Sequence, residues 1–282
     1  MIRKVGVLGA GQMGSGIAQV LARYETEVVL FDIAQPQLDK ALAGIAKNLD
    51  RQVQKGELAA EAVQQILKRI VATQKMDDLA DCDMAIEAVT EKESLKLEIF
   101  RQLDQVVKKD AILASNTSSI PITRIAAVTG RQDKVIGMHF MNPVPVMKLV
   151  EVIRGLATSD ETFAATSSLV ARLQKEMAVS ADYPGFIVNR ILIPMINEAA
   201  FAVFEGIATV EDIDKAMKLG TNQPMGPLTL ADFIGLDTCL AIMEVLYQGF
   251  KDPKYRPCPL LVKKVEAGHL GRKSGRGFYN YA

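Results

Sequence analysis

One feature constrains the fold more than any other. A short apolar run, Lys4-Val5-Gly6-Val7-Leu8, passes directly into the turn Gly9-Ala10-Gly11-Gln12-Met13-Gly14. Ile17, Val20 and Leu21 then recur at helical spacing, and a second β-rich run, Val28-Val29-Leu30-Phe31, ends on Asp32. Strand, glycine turn, helix, strand and acid in this order define a unit that receives a dinucleotide. Gly9 permits the tight turn and Gly11 lacks the Cβ that would block a pyrophosphate. Gly14 lets helix and strand pack closely, and the helix N-terminus attracts the phosphates. Asp32 can accept hydrogen bonds from both hydroxyls of an adenosine ribose. Its charge would repel a 2′-phosphate, and Ile33-Ala34 supplies no arginine to hold one. NAD is therefore expected over NADP.

The rest of the chain extends this reading. Residues 36–70 form two polar helices divided near Gly56. Strand patterns resume at 84–89, 111–114 and 135–138, with a helix around 92–108. Strands alternating with helices predict an α/β, Rossmann-type doubly wound parallel sheet, covered on both faces. Past Pro184-Gly185 helical patterns dominate, at 186–204, 210–219 and 228–248, with Thr209 as an N-cap and Gly220 at a C′ position. The 282 residues thus divide into a domain over 1–183 and a helical C-terminal domain over 184–282.

Composition removes several function classes. Lys+Arg and Asp+Glu are both 33, which argues against a nucleic-acid binder or a polybasic membrane protein. No run reaches the ~18 apolar residues of a membrane helix, and the N-terminus runs straight into a strand. The three cysteines, Cys82, Cys239 and Cys258, are far apart. With two histidines in all, no Cys/His metal cage is expected, and a reducing cytoplasm fits best.

The scarcity of histidine narrows the chemistry. An alcohol dehydrogenation needs a base for the hydroxyl proton, and imidazole suits that task near neutral pH. His139 ends the strand VIGM, at the carboxyl edge of the sheet, where ligands of open α/β folds bind. His269 lies in a polar, glycine-rich tail. Glu151 interrupts the apolar run LVEVI, where an acid is costly to bury without a partner. A hairpin-like return through Pro143-Val144-Pro145 could set it beside His139.

Four separated segments, in order, carry a resemblance over the whole chain: SNTSS at 115–119, HFMNPVPVMKLVEVI from His139, PGFIVNRIL at 184–192 and GRKSGRGFYNY at 271–281. They closely resemble the (S)-3-hydroxyacyl-CoA dehydrogenase family, and most closely its bacterial single-function members acting on short acyl chains. The resemblance implies NAD-dependent oxidation of 3-hydroxyacyl-CoA, with His139 as base and Glu151 as its partner. It makes Ser118 a ligand of the substrate oxygen near the nicotinamide ribose, and Asn189 a ligand of the substrate carbonyl from the second domain. Glu91, Lys96, Asn142 and Lys273 correspond to cofactor contacts. The 36–70 helix pair resembles the coenzyme A hairpin, with Asn48 and Lys55 at matched positions and Gln52-Val53-Gln54 where relatives are more basic.

A homodimer through the C-terminal domain is implied as well. The apolar circumference of the 186–204 and 228–248 segments points the same way. Two other readings stay open: a dehydrogenase of a free hydroxy or sugar acid, like gulonate dehydrogenase, and a non-catalytic NAD-binding protein of the crystallin kind.

Overall fold

The computed structural model describes residues 1–281, in two compact units that meet in sequence at Tyr183 and Pro184. The first is built on an eight-stranded sheet of order β3-β2-β1-β4-β5-β6-β7-β8. Its strands are β1 (Lys4–Leu8), β2 (Glu27–Phe31), β3 (Ile70–Thr73), β4 (Met84–Glu87), β5 (Ile112–Ser115), β6 (Val135–Phe140), β7 (Leu149–Arg154) and β8 (Glu176–Ala181). The strands from β3 to β6 are parallel, β7 turns back antiparallel on β6, and β8 follows β7 in parallel. The expected doubly wound sheet is thus present. β1 has β2 on one side and β4 on the other, so the strand order reverses there, and a crevice opens at the carboxyl ends of β1 and β4.

The central strands are apolar because both their faces are covered. Val5, Val7, Ile86, Leu113 and Ile136 are all fully buried. Helix α1 (Gln12–Arg23) packs Ile17 and Leu21 into this core. The long excursion after β2 folds as α2 (Gln35–Gln54) and α3 (Ala60–Lys68), held to the same core by Leu38, Ile45, Leu49 and Ile66. Helices α4 (Glu93–Val106), α5 (Ile122–Ala126) and α6 (Asp160–Arg172) complete the unit. β3, β8 and α6 have no counterpart in the sequence reading. β3 and β8 are the two edge strands: β3 buries only Ile70, and β8 leaves Met177 and Val179 exposed, so neither carries the apolar run of a central strand.

The second unit is helical: α7 (Val188–Phe204), α8 (Val210–Gly220), α9 (Pro227–Ile234), α10 (Leu236–Phe250) and α11 (Pro259–Glu266). Ile193, Ile196, Leu236, Met243, Leu246 and Leu261 form its core. Thr209 caps α8 through the Asp212 N–H, as expected. Two details differ. The single helix expected over 228–248 is divided at Gly235, whose φ of 105° an L side chain rarely adopts. The left-handed residue after α8 is Asn222, at φ 54°, and Gly220 remains inside the helix. The carboxylate of Asp232, 1% exposed, accepts from Phe278 N, Tyr279 N and Tyr281 Oη and so ties down the C-terminal segment. Among the described residues no helix is long and apolar enough to cross a membrane.

Candidate active site

The glycine turn leads from β1 into α1 at the reversal point of the sheet. Gly9 has φ 98°, and a Cβ there would come within 2.8 Å of the Ala88 carbonyl oxygen. A Cβ on Gly14 would overlap the carbonyl oxygen of Gly9. The protein's own packing therefore requires both residues to be glycine. Gly11 is different, because a Cβ there would meet no protein atom within 4 Å. What its small size spares is space outside the chain, directly at the N-terminus of α1, which carries no acidic residue in its first turn. An open, cationic helix end with a missing Cβ is the geometry that a pyrophosphate fits. Asp32 closes the turn from the end of β2: one carboxylate oxygen accepts from Ala10 N (2.8 Å), the other from Ala34 N (2.9 Å). Each oxygen keeps a second lone pair for a ribose hydroxyl.

Beside the turn, β4 and β5 end in a dense polar network. Glu87, fully buried, holds Lys96 Nζ at 2.6 Å and accepts from Ser115 Oγ at 2.7 Å. Lys96 is 1% exposed and reaches Glu91 at 3.2 Å with the same ammonium. It also donates to the Val89 carbonyl. Glu91 in turn organises that loop. Its Oε1 accepts from Thr117 Oγ1 (2.5 Å), Ser118 N (2.9 Å) and Ser119 N (3.1 Å), and from the hydroxyls of Ser118 (3.2 Å) and Ser119 (3.0 Å). Burial would raise the carboxyl's pKa. The Lys96 charge and these donors outweigh it and hold Glu91 below the ordinary range. The loop is no helix cap, because α5 takes its cap from Asp182, whose carboxylate accepts from Ile122 N and Thr123 N.

His139 and Glu151 face each other across the antiparallel β6–β7 pair. His139 Nδ1 lies 2.6 Å from Glu151 Oε2, with His139 8% exposed and the glutamate fully buried. A carboxylate only accepts, so Nδ1 carries the proton, and in the neutral tautomer this leaves Nε2 as the basic nitrogen. The end of β6 is further anchored by Asn116 Oδ1, which accepts from Phe140 N at 2.9 Å. Asn142 follows in the next loop, bonded to Gln12 of the glycine turn at 3.1 Å.

The remaining predicted residues lie on other elements. Asn48 and Lys55 are exposed on and just after α2. In the second unit, Asn189 sits in the first turn of α7, and Lys273 pairs with Asp237 at 2.6 Å. Three residues of the network escaped sequence reasoning: Glu87, Ser115 and Asn116. Glu87 carried a usable signal, since an acid inside the run MAIEAV poses the same burial problem that drew attention to Glu151.

Fold and site define a nicotinamide-dependent dehydrogenase. Residues 4–183 match the family model described as 3-hydroxyacyl-CoA dehydrogenase, NAD binding domain, and residues 185–281 match its C-terminal domain. The chain is 60% identical over 281 residues to a 3-hydroxybutyryl-CoA dehydrogenase of Bradyrhizobium diazoefficiens, covering all of this chain and 96% of that one. It is 51% identical over 278 residues to the 3-hydroxybutyryl-CoA dehydrogenase of Clostridioides difficile, with 99% of each covered. The crystal structure of an (S)-3-hydroxybutyryl-CoA dehydrogenase from Ralstonia eutropha superposes with a TM-score of 0.98 at 54% identity, over the full length of both. The chain belongs to the 3-hydroxyacyl-CoA dehydrogenase family, is an oxidoreductase, and takes NAD as its cofactor. Neither alternative reading is favoured.

Proposed function

We propose that the protein interconverts short-chain (S)-3-hydroxyacyl-CoA and 3-oxoacyl-CoA, with 3-hydroxybutyryl-CoA as the preferred substrate. The observation that carries this is the 2.6 Å His139–Glu151 pair at the carboxyl edge of a sheet that also bears a dinucleotide turn. Bound NAD supplies the acceptor for the hydride that leaves C3.

In the oxidation, Nε2 of His139 takes the C3 hydroxyl proton as the carbon is oxidised. Glu151 holds the ring in the required tautomer and stabilises the imidazolium that forms. In the reduction the same nitrogen returns the proton to the C3 oxygen. Ser118, held by Glu91, orients that oxygen with a hydroxyl that does not compete for protons, and Asn189 supports the substrate carbonyl. The turn from Gly9 through Gly14 and Asp32 hold the dinucleotide, with Asn142 and Lys273 as further contacts. Lys96 contributes by fixing Glu91. Asn48 and Lys55 on the exposed side of α2 take the coenzyme A moiety, the lysine pairing with a phosphate.

The first unit is thus the NAD-binding domain and the second the substrate and dimerisation domain. Ile191, Phe204, Ile207 and Phe233 of the second unit are each more than half exposed, and a two-fold partner would cover them in a homodimer. The balanced charge and reduced cysteines suit a cytoplasmic enzyme.

The test follows NADH absorbance with acetoacetyl-CoA and, in parallel, free acetoacetate. Turnover of the thioester alone is expected. Turnover of the free acid would replace the acyl-CoA assignment, and NADH binding without any turnover would leave a non-catalytic protein. Sedimentation equilibrium at low micromolar concentration should give a dimer, and Ile191→Glu a monomer.

A further inference from the structure

Ser118 and His139 leave the sheet from neighbouring strands, β5 and β6, and the reaction brings them to one substrate oxygen. The backbone ladder does not reach far enough to hold them together. Registered pairing of β5 with β6 ends at Ser115 and Gly137, two residues short of His139. Beyond that point the N–H of the peptide bond joining His139 to Phe140 finds its acceptor on a side chain, Asn116 Oδ1, at 2.9 Å. Phe140 is 1% exposed, and a buried backbone N–H without an acceptor is costly. The Asn116 carboxamide therefore supplies the bond that the strand no longer provides.

The main chain of Asn116 places it for this. Its own N–H donates to the Glu87 carbonyl of β4 at 2.8 Å. One residue thus joins three strand ends: its backbone reaches β4, its side chain reaches β6, and the chain continues to Ser118 two positions later. Phe140 N can only donate, so the carboxamide must turn its oxygen to β6 and keep Nδ2 outside this bond. His139 is consequently held from both sides. Glu151 on β7 fixes the imidazole, and Asn116 on the β5 side fixes the peptide plane next to the histidine Cα.

We propose that Asn116 is a positioning residue for the reaction: its side-chain bond to Phe140 N sets the placement of His139 relative to Ser118. This rests on the roles proposed above for those two side chains. An oxygen held between an imidazole and a hydroxyl tolerates little change in their spacing, and a displacement of about 1 Å can cost about a hundredfold in rate. Asn116 touches neither imidazole nor substrate in this role and acts through the backbone alone.

The test compares Asn116→Ala, which removes the acceptor, with Asn116→Asp, which keeps an acceptor at the same reach and replaces only Nδ2. With acetoacetyl-CoA and NADH, Asn116→Ala should lower kcat by about tenfold or more, with KM and NADH affinity within about twofold of native. Asn116→Asp should keep most of the native kcat. In a His139→Gln background the alanine substitution should cost less than about twofold more, because residues that act as a unit are not additive. An undiminished kcat in Asn116→Ala, or its full loss repeated in the His139→Gln background, would overturn the proposal. So would failure of both variants through weaker NADH binding, which would make Asn116 a direct cofactor contact. A second readout needs no turnover. The chain has two histidines, so two sets of imidazole NMR signals are expected, and His139→Gln assigns them. Asn116→Ala should shift or broaden the His139 signals and leave those of His269 in place. Unmoved His139 signals would overturn the proposal. Moved signals in a protein that does not reduce acetoacetyl-CoA would support the positioning role and remove the acyl-CoA assignment instead.

Discussion

Two fully buried carboxylates sit in neighbouring parts of one sheet, and they solve the same problem differently. Glu151 in β7 is paired with His139, while Glu87 at the end of β4 is paired with Lys96. Each pair is separated by 2.6 Å. A carboxylate that loses water needs a partner in both places. The partners differ in what they can do. Imidazole exchanges a proton near neutral pH, so the His139–Glu151 pair can pass through charged and neutral states during a reaction. Lys96 is bonded to two carboxylates and a backbone carbonyl at once, so the Lys96–Glu87 pair is fixed architecture. In these two pairs the carboxylate is alike, and the partner decides whether the pair performs chemistry or supports it.

Substitutions should separate the two. The largest effect is expected for His139→Gln, with kcat lower by about 10²–10⁴ and NADH affinity nearly unchanged. Adding Glu151→Gln to it should cost little more, because residues that act as a unit are not additive. Steady-state kinetics and fluorescence titration with NADH check both, and an undiminished kcat in His139→Gln would remove the imidazole from the mechanism.

Glu87→Ala should instead act on stability, lowering it by about 1–3 kcal/mol, since it takes the nearer of two carboxylates from a buried ammonium and leaves the Ser115 hydroxyl without its acceptor. Replacing Glu87 and Lys96 together by Leu and Met should restore much of that loss in urea unfolding. If the single and double variants unfold alike, the pair is not the reason for Glu87.

A smaller change is expected at the cofactor end. Asp32→Ala removes two possible ribose hydrogen bonds and a charge that repels a 2′-phosphate. NADH affinity should fall about tenfold and the preference over NADPH should narrow. A native protein that already favours NADPH would contradict this assignment.

The smallest effect concerns Glu91, whose carboxyl lies below its ordinary value of 4.5. A depressed acid stabilises the fold fully above that ordinary value and loses its contribution as pH falls through the folded pKa. As pH falls below about 4.5 the native Tm should therefore fall more steeply than that of Glu91→Gln. Parallel curves would show that the loop does not depend on the charge.

What could be read along the chain was whatever short spacing determines. Gly9, Gly11, Gly14 and Asp32 lie within 24 residues, and one strand–turn–helix–strand unit requires them all. His139 and Glu151 are twelve positions apart, joined by a single antiparallel return. The central strands announced themselves because burial on both faces demands continuous apolar runs. Other features depended on residues that only the folded sheet brings together. Asp182 caps a helix 60 residues upstream. Ser115 meets Glu87 from the next strand, 28 residues away. A lone Gln, Lys or Glu in a helix or strand has the same local pattern whether it faces water or a buried partner. Register and packing decide which, because hydrogen bonds and charge pairs act over a few ångströms of space, whatever the separation along the chain.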